Sequence, residues 1–418
     1  MDVAGSASHR LVNGTVTLID EGNAAVAGQV VRVSQRRHAF TFGCTGFEAI
    51  PLANEELTGE DRERVAALYD RWLDLFNVAT LPFYWAGFEP RRGTPDTRRL
   101  HTTARWFVDR DVAVKGHPLC WHTETAPWLS DLTTDEIATA QGARIRREVE
   151  DFSGLIDTWD VINEVVIMPV FDRYDNGITR LARELGRLGI VRLAFDAARA
   201  ANPTATLLIN DFDLSADYER LIEDCLAAGI TIDAIGLQSH MHQGHWGEQR
   251  TLELLERYAR FGLPLHWTES TLVSGELMPP EIVDLNDHQV DEWPTTPEGE
   301  ARQADEVERH YRTLVGHPAV AAITWWGLPD GGWLNAPSGL VRLDGSVKPA
   351  YESLHRLIKG EWWLAPTELR TDDSGRVRFG GFAGTYEVDA SGRSAVVVLD
   401  GSDELRVKLE PSVGLPAP

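Results

Sequence analysis

Short apolar runs and amphipathic stretches alternate along residues 40–358, and this alternation limits the possible folds more than any other feature. The apolar runs have the length and composition of buried strands and cover 40–43, 77–80, 112–116, 158–162, 206–210, 234–238, 264–268 and 321–325. Helical periodicity separates most of them, as in 60–76, 134–152, 178–201, 216–228 and 301–315. Repeated strand–helix units predict an α/β protein with a parallel sheet, and eight of them favour a closed (β/α)8 TIM barrel. An open doubly wound sheet is the alternative, but it requires an early glycine-rich phosphate-binding turn, which the sequence lacks.

The two ends of the chain have a different pattern, in which short strands are separated by turns. Candidate strands cover 14–19, 29–33, 376–379, 384–388, 394–399 and 404–409. We therefore divide the chain into N-terminal strands (1–38), a barrel (39–360) and a C-terminal β unit (361–418). We expect the two terminal segments to pack together as a small all-β accessory unit that caps the barrel.

Composition and charge narrow the possible partners. The formal net charge of −24 disfavours nucleic acid and anionic membranes and leaves neutral molecules as partners. Three widely spaced cysteines, Cys44, Cys120 and Cys225, predict neither a disulfide framework nor a metal pair. The N-terminus has no basic segment followed by an apolar run, and no apolar stretch reaches about 20 residues. We therefore expect a cytoplasmic protein, or a secreted one whose leader has been removed; its oligomeric state stays open.

Two carboxylates follow predicted barrel strands, at the end of the barrel where reactive groups lie. Strand 4 ends in Trp-Asp-Val-Ile-Asn-Glu at 159–164, and strand 7 ends in His-Trp-Thr-Glu at 266–269. Two facing carboxyl groups suit acetal hydrolysis, because one can protonate the departing oxygen while the other attacks the carbon. Asn163, beside Glu164, could donate a hydrogen bond to a sugar hydroxyl.

Polar and aromatic residues at the other strand ends are those that a sugar-binding site requires, since hydroxyls need hydrogen bonds and indoles stack on pyranose rings. They include His117 and Trp121 after strand 3, Gln238 and His240 after strand 6, and Trp326 and Trp333 after strand 8. His240, His242 and His245 could suggest zinc, but the nearest acids already have roles, so no metal and no other cofactor is predicted.

These motifs, in this order, resemble glycoside hydrolase family 10, the endo-β-1,4-xylanase family. The matching segments are Gly-His-x-x-x-Trp-His at 116–122, the 159–164 motif, Asn-Asp at 210–211, Ile-Gly-Leu-Gln-x-His at 235–240, Thr-Glu at 268–269, Trp-Gly-x-x-Asp at 326–330 and Trp333. The resemblance implies a TIM barrel with Glu164 as acid/base, Glu269 as nucleophile and His240 bonded to Glu269. It also implies that the −1 sugar is surrounded by His117, Trp121, Asn163, Gln238, Trp326 and Trp333.

The chain departs from the family pattern after strand 2. Where the family has Thr-Pro-Glu-Asn-x-Met-Lys-Trp, this chain has a shorter Thr-Leu-Pro-Phe-Tyr-Trp at 80–85, so Tyr84 stands at the lysine position. Tyr84 and Trp85 are therefore predicted to bind substrate in place of the missing polar residues. Glu124 stands where a glutamine is usual, and a long acidic segment at 270–300 follows Glu269, a kind of insertion that often reshapes a cleft.

The sequence thus predicts a retaining β-glycoside hydrolase, similar to an endo-β-1,4-xylanase, that acts on neutral carbohydrate by double displacement. The first alternative is an exo-acting β-glycosidase for short oligosaccharides or plant glycosides, which the missing polar residues of strand 2 favour. A non-catalytic sugar-binding protein would be expected to lack one of the two glutamates, and both Glu164 and Glu269 are present.

Overall fold

A computed structural model of the chain describes residues 7–390, 392–401, 405–408 and 410–411. Its strands are β1 (Leu11–Ile19), β2 (Val30–His38), β3 (Thr41–Thr45), β4 (Val78–Pro82), β5 (Ala113–His117), β6 (Ile156–Asn163), β7 (Thr206–Asp211), β8 (Ala234–Met241), β9 (Leu265–Leu272), β10 (Val320–Trp325), β11 (Thr367–Arg370), β12 (Arg376–Phe382), β13 (Gly384–Ala390), β14 (Arg393–Leu399), β15 (Leu405–Lys408) and β16 (Glu410–Pro411). Its α-helices are α1 (Ala49–Ala53), α2 (Gly59–Leu75), α3 (Trp85–Phe88), α4 (Thr97–Val108), α5 (Thr134–Asp151), α6 (Gly177–Ala201), α7 (Ala216–Ala227), α8 (Glu248–Ala259), α9 (Pro297–Val315) and α10 (Pro349–Arg356). Short 3-10 turns cover Ala7–Arg10, Pro127–Asp131 and Leu285–Asp287, and a π-helical turn covers Leu357–Glu361.

The strands β3 to β10 form a closed parallel barrel, so the predicted (β/α)8 TIM barrel is confirmed. The barrel closes where β10 pairs with β3, with Ala322 opposite Thr41 and Trp325 opposite Cys44. A closed sheet with helices outside buries both faces of each strand, which explains why the strands have continuous apolar runs rather than alternation. The predicted strands match the observed ones in order and number, although β8 and β9 continue to Met241 and Leu272.

Helix boundaries follow local sequence signals. Helix α5 begins with a capping box, in which the Thr133 hydroxyl accepts from the N–H of Glu136 and the Glu136 carboxylate accepts from the N–H of Thr133. Helix α9 has Thr296 as its N-cap and Pro297 in its first turn. In α6 the helix is interrupted at Gly186, whose φ of 69° is outside the helical region.

The terminal strands form two further sheets, in the orders β12-β1-β15 and β11-β2-β13-β14-β16. The predicted all-β accessory unit is therefore confirmed, since strands from both ends of the chain pair with each other. Its own core includes Val16, Val33 and Tyr386, all fully buried. Of the predicted strand at 404–409, Glu404 and Leu409 lie outside the described residues. The exact boundaries at 38/39 and 360/361 stay predictions.

Arg10 joins this β unit to the barrel. Its guanidinium donates to the carbonyls of Val315, His317 and Val320 at 2.6, 2.9 and 2.7 Å. These carbonyls lie between the end of α9 and the start of β10, at the N-terminal end of the barrel. Within the described part of the chain, no helix combines the length and the apolar character that a membrane crossing needs.

Candidate active site

The two predicted catalytic carboxylates lie at the C-terminal rim of the barrel. Glu164 directly follows β6, the fourth barrel strand, and Glu269 lies within β9, the seventh. Glu164 has a φ of 57°, a strained conformation for a residue with a side chain. Its N–H donates to the carbonyl of Asn210 at 2.8 Å, and the N–H of Val166 donates to Asp211 Oδ2 at 3.0 Å. The end of β7 therefore holds the turn that carries Glu164.

Three side-chain amides connect the two carboxylates. Asn163 Nδ2 donates to Glu164 Oε1 at 3.2 Å, and Asn210 Nδ2 donates to Glu269 Oε1 at 2.9 Å. Asn163 Oδ1 in turn accepts from Asn210 Nδ2 at 2.7 Å and from Gln238 Nε2 at 3.0 Å. Because one network contacts both glutamates, their relative position is set before any substrate binds.

The side chain of Asn210, at the centre of this network, is positioned by residues of β8 and β9. Thr268 Oγ1 donates to Asn210 Oδ1 at 2.5 Å and so orients the amide. Gly236 of β8 leaves the necessary space, since a Cβ at this position would lie 2.4 Å from Asn210 Oδ1. Within the sequence Ile-Gly-Leu-Gln, the amide network therefore needs the glycine as much as the glutamine.

Two histidines face Glu269. His240 Nε2 lies 3.0 Å from Glu269 Oε2, as the resemblance implied, and its Nδ1 lies 3.3 Å from Thr271 Oγ1. His117 Nε2 lies 3.9 Å from Glu269 Oε1, while His117 Nδ1 is 2.8 Å from Asp160 Oδ2. Asp160 is buried, and its carboxylate also accepts from Lys115 Nζ at 2.7 Å. The contact of His117 Nδ1 with Asp160 orients the ring so that its Nε2 faces Glu269.

The environment of Glu164 favours its protonated form. Burial raises its pKa to about 8, and the charges of Glu269 and Asp211 act in the same direction. A hydrogen bond of 2.8 Å from Trp121 Nε1 to Glu164 Oε2 opposes the shift, because it stabilises the carboxylate. Near neutral pH Glu164 is thus a proton donor, whereas Glu269 accepts hydrogen bonds suited to an anion. This difference separates the two roles that the sequence assigned.

Four of the aromatic residues predicted to bind substrate surround the carboxylates. Tyr84 lies 5.6 Å from Trp121 between ring centroids, Trp326 lies 5.0 Å from His117, and Trp333 lies 4.5 Å from His240. Burial raises the pKa of Tyr84 well above its usual value, and the charges of Glu269 and Glu164 raise it further. These four aromatic residues follow three different strands, β4, β5 and β10, and the barrel brings them to one cleft.

The family-level sequence comparison decides the chain's classification. The model of glycosyl hydrolase family 10 matches residues 73–356, which is more than half of the chain. The chain belongs to glycosyl hydrolase family 10. The resemblance inferred from the motifs is therefore confirmed.

Curated relatives of this family 10 protein include several xylanases. Endo-1,4-beta-xylanase 2 of Arabidopsis thaliana is 23% identical over 382 residues, which are 87% of this chain and 31% of that protein. Endo-1,4-beta-xylanase B of Thermotoga neapolitana is 25% identical over 267 residues, covering 61% of this chain and 70% of the relative. The anti-sigma-I factor RsgI6 of Acetivibrio thermocellus is 24% identical over 90% of this chain and 44% of its own length. The chain spans about a third of the length of the two Arabidopsis xylanases that it matches.

Solved structures share the barrel fold. The GH10 structure from Paenibacillus barcinonensis superposes with a TM-score of 0.62 at 24% identity, covering 76% of this chain and 94% of that one. Xylanase 10B from Thermotoga petrophila RKU-1, solved with xylobiose, has a TM-score of 0.62 at 21% identity, covering 77% and 95%. At these identities the likeness supports the fold of the family 10 protein.

Trp85 is the one predicted site residue that does not join the cluster. Its side chain is buried, and its Nε1 donates to Glu89 Oε2 at 3.1 Å. The guanidinium of Arg144 lies over its ring at 4.8 Å, and Trp128 contacts its edge at 5.4 Å. These contacts give Trp85 a packing role at the start of α3, whereas the preceding residue, Tyr84, faces the carboxylates.

Sequence reasoning missed Phe47 and assigned no role to Asp160. Phe47 comes two residues after β3, and its ring contacts both Tyr84 and Trp326, at 6.0 and 5.9 Å. Its position just beyond a barrel strand was the available signal. Asp160 lies four residues before Glu164 in the same motif, where its pairing with His117 could not be read from spacing alone.

The three histidines that could suggest zinc have separate environments. His240 is bonded to Glu269, while the ring of His242 packs against Trp333 and Trp293 at 5.0 and 5.7 Å. The ring of His245 lies 5.6 Å from that of His310, on a different part of the barrel wall. Among residues 7–390 and the described strands beyond them, no cluster of His, Cys, Asp and Glu has the arrangement of a metal site.

Proposed function

We propose that this family 10 protein is a retaining β-glycoside hydrolase, similar to an endo-β-1,4-xylanase, that acts on a neutral carbohydrate. The observation that carries the proposal is the asymmetry of its two glutamates. Glu164 has a pKa of about 8, whereas Glu269 accepts hydrogen bonds from Asn210 and faces His240. One group is therefore prepared to give a proton and the other to attack as an anion.

In the first step, Glu269 attacks the anomeric carbon while Glu164 gives its proton to the departing glycosidic oxygen. The bond from the anomeric carbon to that oxygen breaks, and a glycosyl ester forms on Glu269. In the second step, Glu164, now a carboxylate, takes a proton from water. The water oxygen bonds to the anomeric carbon while the ester bond from that carbon to Glu269 breaks, which restores Glu269 as a carboxylate, and the two inversions together retain the β configuration.

The surrounding residues bind the −1 sugar in this proposal. Asn163 and Gln238 offer amides, and His117 offers Nε2 for a hydrogen bond with a hydroxyl. His240 keeps Glu269 oriented, and the rings of Trp121, Trp326, Trp333 and Tyr84 exclude water and stack on the sugar. All of these groups touch one another directly or through the amide network, so the site is preorganised.

Two variants test the roles. Glu269→Gln should abolish turnover with the fold intact, because an amide cannot form the glycosyl ester. Glu164→Gln should lose activity on xylo-oligosaccharides but keep it on aryl β-glycosides with activated leaving groups, which need little protonation. Steady-state kinetics on both substrate types, with far-UV circular dichroism as the folding control, gives the answer. Equal losses of Glu164→Gln on both substrates would contradict its acid role, and an α-configured first product would contradict retention.

One observation favours the second candidate, an exo-acting β-glycosidase for short substrates. The rings of Phe47, Tyr84, His117 and Trp326 form a closed cycle, with centroid separations of 6.0, 5.8, 5.0 and 5.9 Å. A pyranose between two rings requires about 7 Å, because each face needs a van der Waals contact. These separations leave no space for a sugar between neighbouring rings, and we propose that the four rings wall the glycone side after the −1 sugar, at the ends of β3, β4, β5 and β10.

Kinetics on a ladder of xylo-oligosaccharides separates the two candidates. With a walled glycone side, added sugars on that side should raise kcat/KM little, and polymeric xylan should be a poor substrate relative to short β-glycosides. An increase in kcat/KM by orders of magnitude with each added glycone-side unit would favour the endo-xylanase.

A further inference from the structure

The long segment after β9, residues 273–296, is firmly attached to its own side of the cleft. The N–H of Met278 donates to the carbonyl of His242 at 3.0 Å, and Gln243 Nε2 donates to the carbonyl of Ile282 at 2.7 Å. A small apolar core formed by Val273, Met278, Trp293 and Ala336 joins it to the loop after β10. The segment is thus an ordered structure that covers the loop after β8.

Two salt bridges connect this segment, which follows β9, with the loop that follows β6. Arg173, in the loop after β6, pairs with Asp284 at 3.0 Å and also contacts Asp287. Strands β7 and β8 lie between β6 and β9, and the loops that follow them, 212–215 and 242–247, are short. The connection therefore spans the rim opposite the aromatic wall of β3, β4, β5 and β10. We call residues 273–296 the strap.

The loop after β6 is also the leaving-group side of the cleft. Glu164 begins this loop, and the group attached to the oxygen that Glu164 protonates must lie beside it. Tyr174, next to Arg173, is about half exposed, and its ring packs against Phe171 at 4.9 Å. Burial raises the pKa of Tyr174, with further contributions from the charges of Glu124 and Glu164, in agreement with a position near the proton donor.

Several apolar side chains are exposed in these loops, among the charged ones. Val170 and Tyr174 after β6, Phe212 after β7 and Val283 in the strap are all exposed, at 63%, 49%, 46% and 97%. Tyr174 and Phe212 offer aromatic faces on which a single ring of a leaving group can stack. Aliphatic and aromatic side chains cannot satisfy the hydroxyls of successive sugars.

We propose that the strap, held across the leaving-group side by Arg173, limits the substrate to a β-glycoside with one compact leaving group. A longer chain would have to pass beneath or displace the strap. Arg173 is then a specificity-determining residue that acts by positioning the strap and has no part in the chemistry at Glu164 and Glu269. This inference rests on the proposed glycosidase function in its second form, the enzyme for short β-glycosides.

Arg173→Ala tests the strap. We expect kcat/KM for xylo-oligosaccharides with several leaving-side units to rise by about fivefold, because the exposed ion pairs contribute modestly. For an aryl β-glycoside with one ring, kcat/KM should stay within about twofold of wild type. Arg64→Ala, which removes an exposed ion pair with Asp61 on α2, is the matched control and should change neither value. An equal change on both substrates, or none on either, would overturn the proposal.

Reversing the charges of the Arg173–Asp284 pair shows whether a change in selectivity comes from loss of the ion pair or from misfolding of the variant. Arg173→Asp should relax selectivity, and adding Asp284→Arg should restore it by re-forming the pair with opposite polarity. Amide hydrogen exchange supplies a readout that needs no activity, since Arg173→Ala should speed exchange within residues 273–296 while Arg64→Ala should not. A wild-type protein inactive on every β-glycoside would contradict the proposed function. Activity on aryl glycosides with unchanged selectivity in Arg173→Ala would contradict only the strap.

Discussion

At the scale of single residues, Glu164 determines how activity depends on pH. Burial raises its pKa to about 8, so the proton donor is present below that pH and is lost above it. For substrates with poor leaving groups, kcat/KM should therefore be level from neutral pH to about 8 and fall at higher pH. On activated aryl glycosides, which need little protonation, this alkaline limb should be absent both in wild type and in Glu164→Gln. A limb that persists unchanged in the variant would assign it to another group.

The same raised pKa predicts an effect on stability. The carboxyl of an unfolded glutamate ionises near pH 4.3, about four units below the folded value. Between these pH values the unfolded state releases its proton while the folded state retains it, so unfolding becomes more favourable as pH rises. Glu164→Gln lacks this ionisation, and its Tm relative to wild type should increase between pH 4 and pH 9. Thermal unfolding at several pH values measures the difference; a constant difference would show that Glu164 ionises normally in the fold.

At the scale of elements, the proposed wall on the glycone side consists of rings from four strand ends. Phe47 closes the ring cycle by contacting both Tyr84 and Trp326, and it bonds to neither catalytic glutamate. Phe47→Ala should open a gap and raise kcat/KM for longer xylo-oligosaccharides by about tenfold relative to xylobiose. Activity on a single-sugar aryl glycoside should stay close to wild type. If kcat/KM changes with xylo-oligosaccharide length in the same way in Phe47→Ala as in wild type, the ring cycle is not what limits binding.

Elements also explain the different roles of neighbouring aromatic residues after β4. Tyr84 faces the carboxylates, while Trp85 turns toward Arg144 of α5. The side chain of Arg144 is buried and donates to the carbonyl of Leu119 at 2.6 Å. A buried guanidinium needs such partners, and the face of Trp85 supplies a cation–π contact. The Trp85 side chain therefore packs against Arg144 of α5 and lies outside the cleft.

At the scale of the whole molecule, Arg10 connects the β unit to the barrel. Its guanidinium donates to three carbonyls, those of Val315, His317 and Val320, which would otherwise lack these partners. Arg10→Ala should lower the free energy of unfolding by about 3 kcal/mol, since charge-assisted bonds to buried acceptors are lost. Arg10→Lys should recover part of this, because one ammonium cannot reach all three acceptors. Urea denaturation measures both, and unchanged stability in Arg10→Ala would mean that the unit is held by apolar packing alone.

The sequence by itself determined the barrel and its chemistry. Eight apolar runs separated by helical periodicity predict the β3–β10 barrel because strand and helix periods are local properties. The glutamates at 164 and 269 could be assigned because, in this fold, a strand's last residues reach the catalytic rim wherever the strand lies. Asn163 and His240 could be placed for the same reason, and both contact a glutamate.

Only the tertiary structure decided the shape of the cleft. Arg173 and Asp284 are more than a hundred residues apart, and no local periodicity relates the loops that carry them. The contact of Phe47 with Trp326 likewise depends on barrel closure between β3 and β10. Loop conformation is set by long-range packing and charge pairing rather than by intrinsic propensity, so the strap and the aromatic wall could not be read from the chain. The positions of the two glutamates thus follow from the strand ends, whereas the proposed selectivity depends on contacts between distant loops.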